Sequence, residues 1–271
     1  MRTPAVSGRF YPDAPRDLAR TVRELLAQVA DARPAPARGA VAPHAGYPYS
    51  GATAAAVFAR ILVPPLVVIV APNHTGVSRA PGGVALWEAG AFRTPLGDVA
   101  VDEPFADALR ASCTLVAADH DAHRAEHAVE VLLPFLQVQR PGVRVVPLVL
   151  AWDAWASCRE LGQALARVVS EWPEPVLLLA SSDLNHYEPA RVSGPKDHAA
   201  LAALEALDGE ELLARCRRER ISMCGRAPVA VVAAATRTLG ASRAEVVDYR
   251  HSGWVTGDDS AVVGYAGVVI P

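Results

Sequence analysis

The feature that most constrains this chain is a set of short, unbroken apolar runs, each cut off by residues that suit turns. "ARGAVA" ends in "PHAGY", "LVVIVA" in "PNHTG" and "PVLLLA" in "SSDLNHY". "VRVVPLVLA" and "SAVVGYAGVVI" are further runs of the same kind. Continuous rather than alternating apolar residues point to strands buried on both faces. Between them lie helical patterns, roughly Pro15 to Ala30, Gly51 to Ile61, Glu103 to Ser112, Ala154 to Ser170, Asp197 to Arg218 and Pro228 to Leu239. This alternation predicts an α/β fold, a single domain over residues 1–271 with a central mixed, largely parallel sheet flanked by helices. "ADARPAPARG", near residues 30–39, is the only linker-like stretch, and it lies too close to the N-terminus to divide two domains.

Composition excludes several functions. With 271 residues, 51% of them hydrophobic, the chain can bury a large core without splitting. The formal net charge is -3 and no basic run carries interleaved aromatics, so no nucleic-acid partner is expected. No apolar run is long enough to span a membrane, and the N-terminal "MRTPAVSGRFYPD" lacks the apolar core of a signal peptide. Cys113, Cys158, Cys216 and Cys224 form no C-x-x-C pair, which reads as reduced thiols in a cytoplasmic protein. Lys196 is the only lysine, so no lysine-dependent phosphate loop is spelled.

In open α/β sheets ligands bind outside the carboxyl ends of the strands. Here His44 follows the first run, His74 the second, and Asp183 and His186 a later one, each among Pro, Gly, Asn or Ser. One histidine after a strand means little; three such loops can converge into a first-row metal site or an acid/base site. Cys224, in "SMCGRAP", stands just before Pro228, read as a first helical position, where unpaired N–H groups favour a thiolate. It reads equally well as a small buried hydrophobe. The closing glycine-rich segment reads as a turn before a last strand, with His251 at its start.

One stretch suggests different chemistry. "DHDAHRAEHAVE" contains His123-Arg124-Ala125-Glu126-His127, an H-x-x-E-H sequence of the inverted zinc-peptidase kind. On a helix over residues 122–133, with Asp121 as N-cap and Pro134 as stop, His123, His127 and Glu130 share one stripe. An amphipathic helix with a solvated polar face fits the same pattern, and a peptidase is disfavoured.

The motifs together resemble the Memo family, whose bacterial and archaeal members are called AmmeMemoRadiSam system protein B. The matching elements are "AVSGRFYP", "PHAGYPYSG", "PNHTG", "TPLGDV", "EHAVEVLLPFL", "SSDLNHY", the "CG" at 224–225 and "SGWVTGDDSAVVGYA". The resemblance implies a fold similar to LigB-type class III extradiol dioxygenases, which are non-haem iron enzymes. It implies iron or copper held by His44, His74 and Cys224, with Fe2+ favoured and Zn2+ open. Asp183, His186 and His127 would be the catalytic groups, Asp183 and His186 completing the pocket, His186 as an acid/base histidine, and His127 standing beside it. The family motif begins at Glu126, which leaves His120 and His123 as surface or local residues. Three functions stay open: a metal-binding redox protein acting on an unknown small-molecule or peptide ligand, a catechol-type dioxygenase, and a non-catalytic interaction module tied to a radical-SAM pathway partner.

Overall fold

The runs that end in "PHAGY", "PNHTG" and "SSDLNHY" become three neighbouring parallel strands, and this adjacency builds the site. A computed structural model describes residues 1–30 and 32–271; Asp31, within the linker-like stretch, lies outside the described residues. The elements in order are α1 (Pro15–Ala27), β1 (Gly39–Ala42), α2 (Tyr47–Phe58), β2 (Leu66–Pro72), β3 (Val84–Leu86), β4 (Ala91–Thr94) and β5 (Gly97–Ala100). Next come α3 (Glu103–Ser112), β6 (Val116–Ala118), α4 (Asp121–Arg124), a 3-10 turn (Glu130–Leu132), α5 (Leu133–Gln139), β7 (Arg144–Leu150) and α6 (Trp155–Glu171). The last part holds β8 (Val176–Ser181), β9 (His186–Glu188), α7 (Ala190–Glu205), α8 (Gly209–Arg218), α9 (Arg226–Thr238), β10 (Glu245–His251), α10 (Gly253–Thr256) and β11 (Val262–Ile270).

The main sheet runs β10-β11-β1-β8-β2-β7-β3-β6, with β9 added to β11, and β4 and β5 form a separate hairpin. β1, β8, β2 and β7 are parallel; β11 is antiparallel to β1, and β3 is antiparallel to β7. This is the mixed, largely parallel sheet expected from the sequence. Every residue of β1, β2 and β8 is buried, as their unbroken apolar runs require.

Alternate strand residues feed two cores. Val68, Val70, Leu178 and Ala180 join Leu161 and Leu165 of α6 and Val229 and Val232 of α9. Val67, Ile69, Leu177 and Leu179 join Leu18 of α1, Phe58 of α2 and Phe135 of α5. The Phe58 and Phe135 rings stack 5.1 Å apart. Burying a side chain of this size is worth about 1.5–3 kcal/mol, so the two layers hold the sheet from both sides.

Several helix limits differ from the sequence reading, for local reasons. The single helix expected from Asp197 to Arg218 is two helices: Leu207 adopts φ 53, and the Asp208 side chain caps α8 by accepting from Glu211 N at 2.9 Å. α7 begins earlier, at Ala190, and carries Pro195 inside it. α9 begins at Arg226, so Pro228 is its third residue rather than its first. The helix expected over residues 122–133 does not form. α4 closes at Arg124, Ala125 turns the chain at φ -107 and ψ 0, and Pro134 sits in the first turn of α5 instead of stopping a helix. Among the described residues no helix is long and apolar enough to cross a membrane.

Gly225 couples this packing to the strand ends. A Cβ there would meet Ser181 O at 2.3 Å and Ser182 Cβ at 2.5 Å, both in or next to β8. Gly225→Ala is therefore expected to lower unfolding stability by about 1–3 kcal/mol in urea titration, because backbone must move to admit the methyl. An unchanged midpoint and slope would contradict this close approach.

Candidate metal centre

β8 lies between β1 and β2, so the loops after β1 and β2 flank its end. His44 leaves β1 by way of Pro43 and is buried to 1% exposure. His74 leaves β2 in a turn that Asn73 builds. The Asn73 side-chain oxygen accepts from Thr75 N at 3.1 Å and Gly76 N at 3.0 Å, and Gly76 takes φ 69. That turn explains the sequence "PNHTG". The third contributor, His127, comes from the irregular chain between α4 and the 3-10 turn.

His44, His74 and His127 offer ligand atoms that all lie within 4.8 Å of one another. Their ring centroids are 5.0 Å (His44–His74), 5.4 Å (His44–His127) and 4.7 Å (His74–His127) apart. Two of the rings are fixed from behind. Ser181 Oγ donates to Ala128 O at 2.6 Å, which uses its one hydrogen, so at 2.7 Å it must accept from His44 Nδ1. Glu126 accepts from His74 Nδ1 at 2.9 Å with one oxygen and from His74 N at 2.6 Å with the other. Both imidazoles then keep a bare Nε2, the arrangement that metal-ligating histidines adopt.

Glu126 is the organiser. It is 1% exposed, and its Oε1 also accepts from His127 N at 2.8 Å and Ala128 N at 2.9 Å. Burial opposes its charge, but the His74 hydrogen bond and charge and the backbone N–H groups prevail and hold its carboxyl at about 2. His74 responds in kind: burial pushes its pKa down, Glu126 pulls it up, and the net shift is upward. His44 and His127 are both pushed down, by burial first and, among the charged neighbours, by His74. Neutral imidazoles with free lone pairs are what a metal ion needs.

The other predicted site residues surround this group. Asp183 Oδ1 accepts from His44 N at 2.9 Å, and its Oδ2 lies 4.0 Å from His44 Nε2; burial raises its pKa. Cys224 Sγ lies 3.4 Å from His44 Nε2 and accepts from Asp183 N at 3.3 Å. Burial and the neighbouring Asp183 charge push the Cys224 thiol up. Cys224 thus touches His44 but stands outside the three-histidine group, which contains His127 in its place. His186 is half-buried, and its Nδ1 lies 3.1 Å from Ser222 O. All four cysteines are free.

The stretch around the H-x-x-E-H sequence departs most from expectation. His120 stays local: its ring stacks on Trp87 at 4.0 Å and reaches Glu88 at 2.9 Å. His123 is not at the surface; it is 1% exposed, and its Nε2 donates to Ala85 O at 3.0 Å. His123 and His127 do not share a helix face, because the helix ends between them. Glu130 does not share that face either: it is fully buried and accepts from Ala5 N at 2.8 Å, Val6 N at 3.1 Å, the Arg2 guanidinium and Tyr11 OH. Arg2 also donates to His123 O at 3.1 Å and to Glu126 O. Sequence reasoning missed Arg2 and gave Ser181 no role; the serine at the strand end, followed by Ser182 and Asp183, was the available signal.

Fold and geometry define a class: an α/β protein with a three-imidazole candidate metal centre at the carboxyl ends of its parallel strands. The chain belongs to the Memo family, whose model, described as Memo-like protein, matches residues 2–269. A MEMO1 family protein of Methanopyrus kandleri is 41% identical over 281 residues, covering 99% of this chain and 98% of its own. One from Methanosarcina barkeri is 38% identical over 271 residues, with 100% of each chain covered. One from Aquifex aeolicus is 36% identical over 270 residues, covering 99% and 98%. The family resemblance drawn from the sequence motifs is borne out.

Burial drives the His123 pKa down to about 4, against the pull of the Ala85 carbonyl. A histidine depressed in the fold is protonated first in the unfolded chain, so its contribution is complete above pH 6.5 and is lost as pH falls from 6.5 to 4. The size is about 3 kcal/mol. In urea unfolding, the stability gap between wild type and His123→Gln is expected to narrow by up to that amount between pH 7 and pH 4. A gap independent of pH would contradict the assignment.

Proposed function

We propose that this chain binds one first-row transition metal ion through His44, His74 and His127, and that the ion serves redox chemistry on a small-molecule substrate. Cys224, against His44, is the fourth donor in this reading. The observation that carries it is the pair of anchored imidazoles, His44 on Ser181 and His74 on Glu126, beside a third ring. Imidazoles suit iron, copper and zinc, and a thiolate adds a softer, oxidisable ligand. We place iron or copper before Zn2+, with Fe2+ first on the likeness to non-haem iron dioxygenases seen in the sequence. Such an ion, when bound, supplies one-electron or O2 chemistry.

The chain's own residues divide the remaining work in this reading. Glu126 and Ser181 orient ligands. Asp183 holds the His44 backbone. His186 moves a proton at Nε2, because its Nδ1 is committed to the Ser222 carbonyl. Metal analysis of anaerobically purified protein should give about one equivalent, falling at least about tenfold in His74→Ala and His127→Ala. With Cu2+ added, a thiolate-to-metal absorption band should appear in wild type and vanish in Cys224→Ser. Full stoichiometry in both histidine variants would overturn the reading; absence of the band would remove Cys224 from it.

A second reading, a catechol-type dioxygenase, is favoured by His186 and by the Asp183 carboxylate 4.0 Å from His44 Nε2. It predicts O2 uptake by the Fe2+-loaded protein with catechols, lost in His186→Ala. No uptake across a catechol panel would exclude it.

A further inference from the structure

Behind His186 lies a buried polar chain that no ligand contact requires. Asn185 is fully buried and uses every hydrogen-bonding group on its side chain. Its Nδ2 donates to Glu188 Oε2 at 2.7 Å and to Ser193 Oγ at 2.8 Å. Its Oδ1 accepts from Ser222 N at 2.9 Å and Ser222 Oγ at 3.0 Å. Its backbone N–H donates to Asp197 Oδ1 at 2.8 Å, and Tyr249 OH donates to Asp197 Oδ2 at 2.8 Å. Ser222 passes the restraint on: its Oγ accepts from His186 N at 2.8 Å, and its carbonyl lies 3.1 Å from His186 Nδ1.

Two backbone features show how tightly this loop is held. Tyr187, directly after His186, is 80% exposed and adopts φ 61, a left-handed conformation that an aromatic residue takes only where its surroundings impose it. Gly264 accepts from Leu184 N at 2.8 Å and donates to Asn185 O at 2.9 Å. A Cβ on Gly264 would stand 2.2 Å from Asp197 Oδ2, so β11 leaves room for that carboxylate. A buried network with every member satisfied is rigid, and it specifies one arrangement.

We propose that Asn185, backed by Asp197 and Tyr249, is a positioning residue that fixes His186 in a single tautomer, with Nδ1–H on the Ser222 carbonyl and Nε2 left as the basic nitrogen, three residues after the Asp183 that holds His44. The use of that base rests on the function proposed above; the tautomer does not. The carbonyl can only accept, so the ring must present its hydrogen at Nδ1, and the Asn185–Ser222 bonds keep the carbonyl in place. The substrate this suits carries an ionisable O–H or S–H that must lose its proton near the metal.

Nitrogen-15 NMR of the full-length protein, metal-free and with Zn2+, reads each histidine tautomer directly. Wild type should show His186 overwhelmingly as the Nδ1–H form. Asn185→Ala should lower that tautomer ratio about five- to tenfold, the loss expected for one neutral hydrogen bond, while His44 keeps its own Nδ1–H form. Ser222→Ala, which keeps the carbonyl but removes the oxygen joining Asn185 to His186, should move the ratio the same way and guards against misfolding of the first variant. Zn2+ stoichiometry should equal wild type in Ser222→Ala. An Nε2–H form in wild type, or an unchanged ratio in both variants, would overturn the proposal. Loss of metal binding in wild type would instead count against the function and leave the tautomer result standing.

Discussion

The carboxylate of Glu126 is almost wholly removed from water and still charged, and the candidate site is arranged around that fact. It survives burial because it accepts four N–H groups: the backbone and ring of His74, His127 N and Ala128 N. Each is a charge-assisted bond of the stronger kind. Removing such a partner leaves a buried charge uncompensated, which in other buried pairs costs about 3–5 kcal/mol. The same four bonds tie the loop after β2 to the irregular segment before α5. The second and third histidines therefore reach one place through one side chain.

A second buried charge holds that segment from the other side. Arg2 pairs with Glu130 and donates to the carbonyls of His123 and Glu126, while its guanidinium lies 5.3 Å from the centre of the Phe92 ring. An apolar side chain of similar volume would fill the space but would impose no direction. The pair sets where residues 123–130 run, and so fixes the carbonyl side of Glu126 while its carboxylate gathers the histidines. His123 Nδ1 is buried without a hydrogen-bond partner among the described residues, consistent with a ring held neutral by burial.

The strands were legible because burial on both faces leaves an unbroken apolar run, and "LVVIVA" and "PVLLLA" have almost no alternative. The site histidines His44 and His74 were legible because turn chemistry surrounds them; Asn73 and Gly76 are there to make the turn. The short strands β3 and β6, three residues each, carry too little pattern to stand out. The stretch from Asp121 to Gln139 misled because its periodicity fits one helix. The tertiary hydrogen bonds of Glu126 and Glu130 outweigh that local preference and break it into α4, a turn and α5. H-x-x-E-H is thus a string of residues with separate tasks: His123 packs, Glu126 organises and His127 faces the other histidines. Arg2 had no local signal, since its side-chain hydrogen-bond partners lie more than 120 residues away.

The electrostatics of the three rings point the same way as their geometry. Each protonated ring would repel the others, and only at His74 does the pull of Glu126 outweigh burial. Protons are therefore a poor way to place positive charge among these rings, since a second one meets both desolvation and repulsion. A single cation shared by three lone pairs would satisfy all of them at once, with Glu126 ionised beside them. Near that cation the cost of ionising Cys224 also falls, because the burial and Asp183 charge that raise its pKa would be opposed by the ion. Three clustered imidazoles beside an ionised Glu126 are thus better suited to one shared cation than to separate protons.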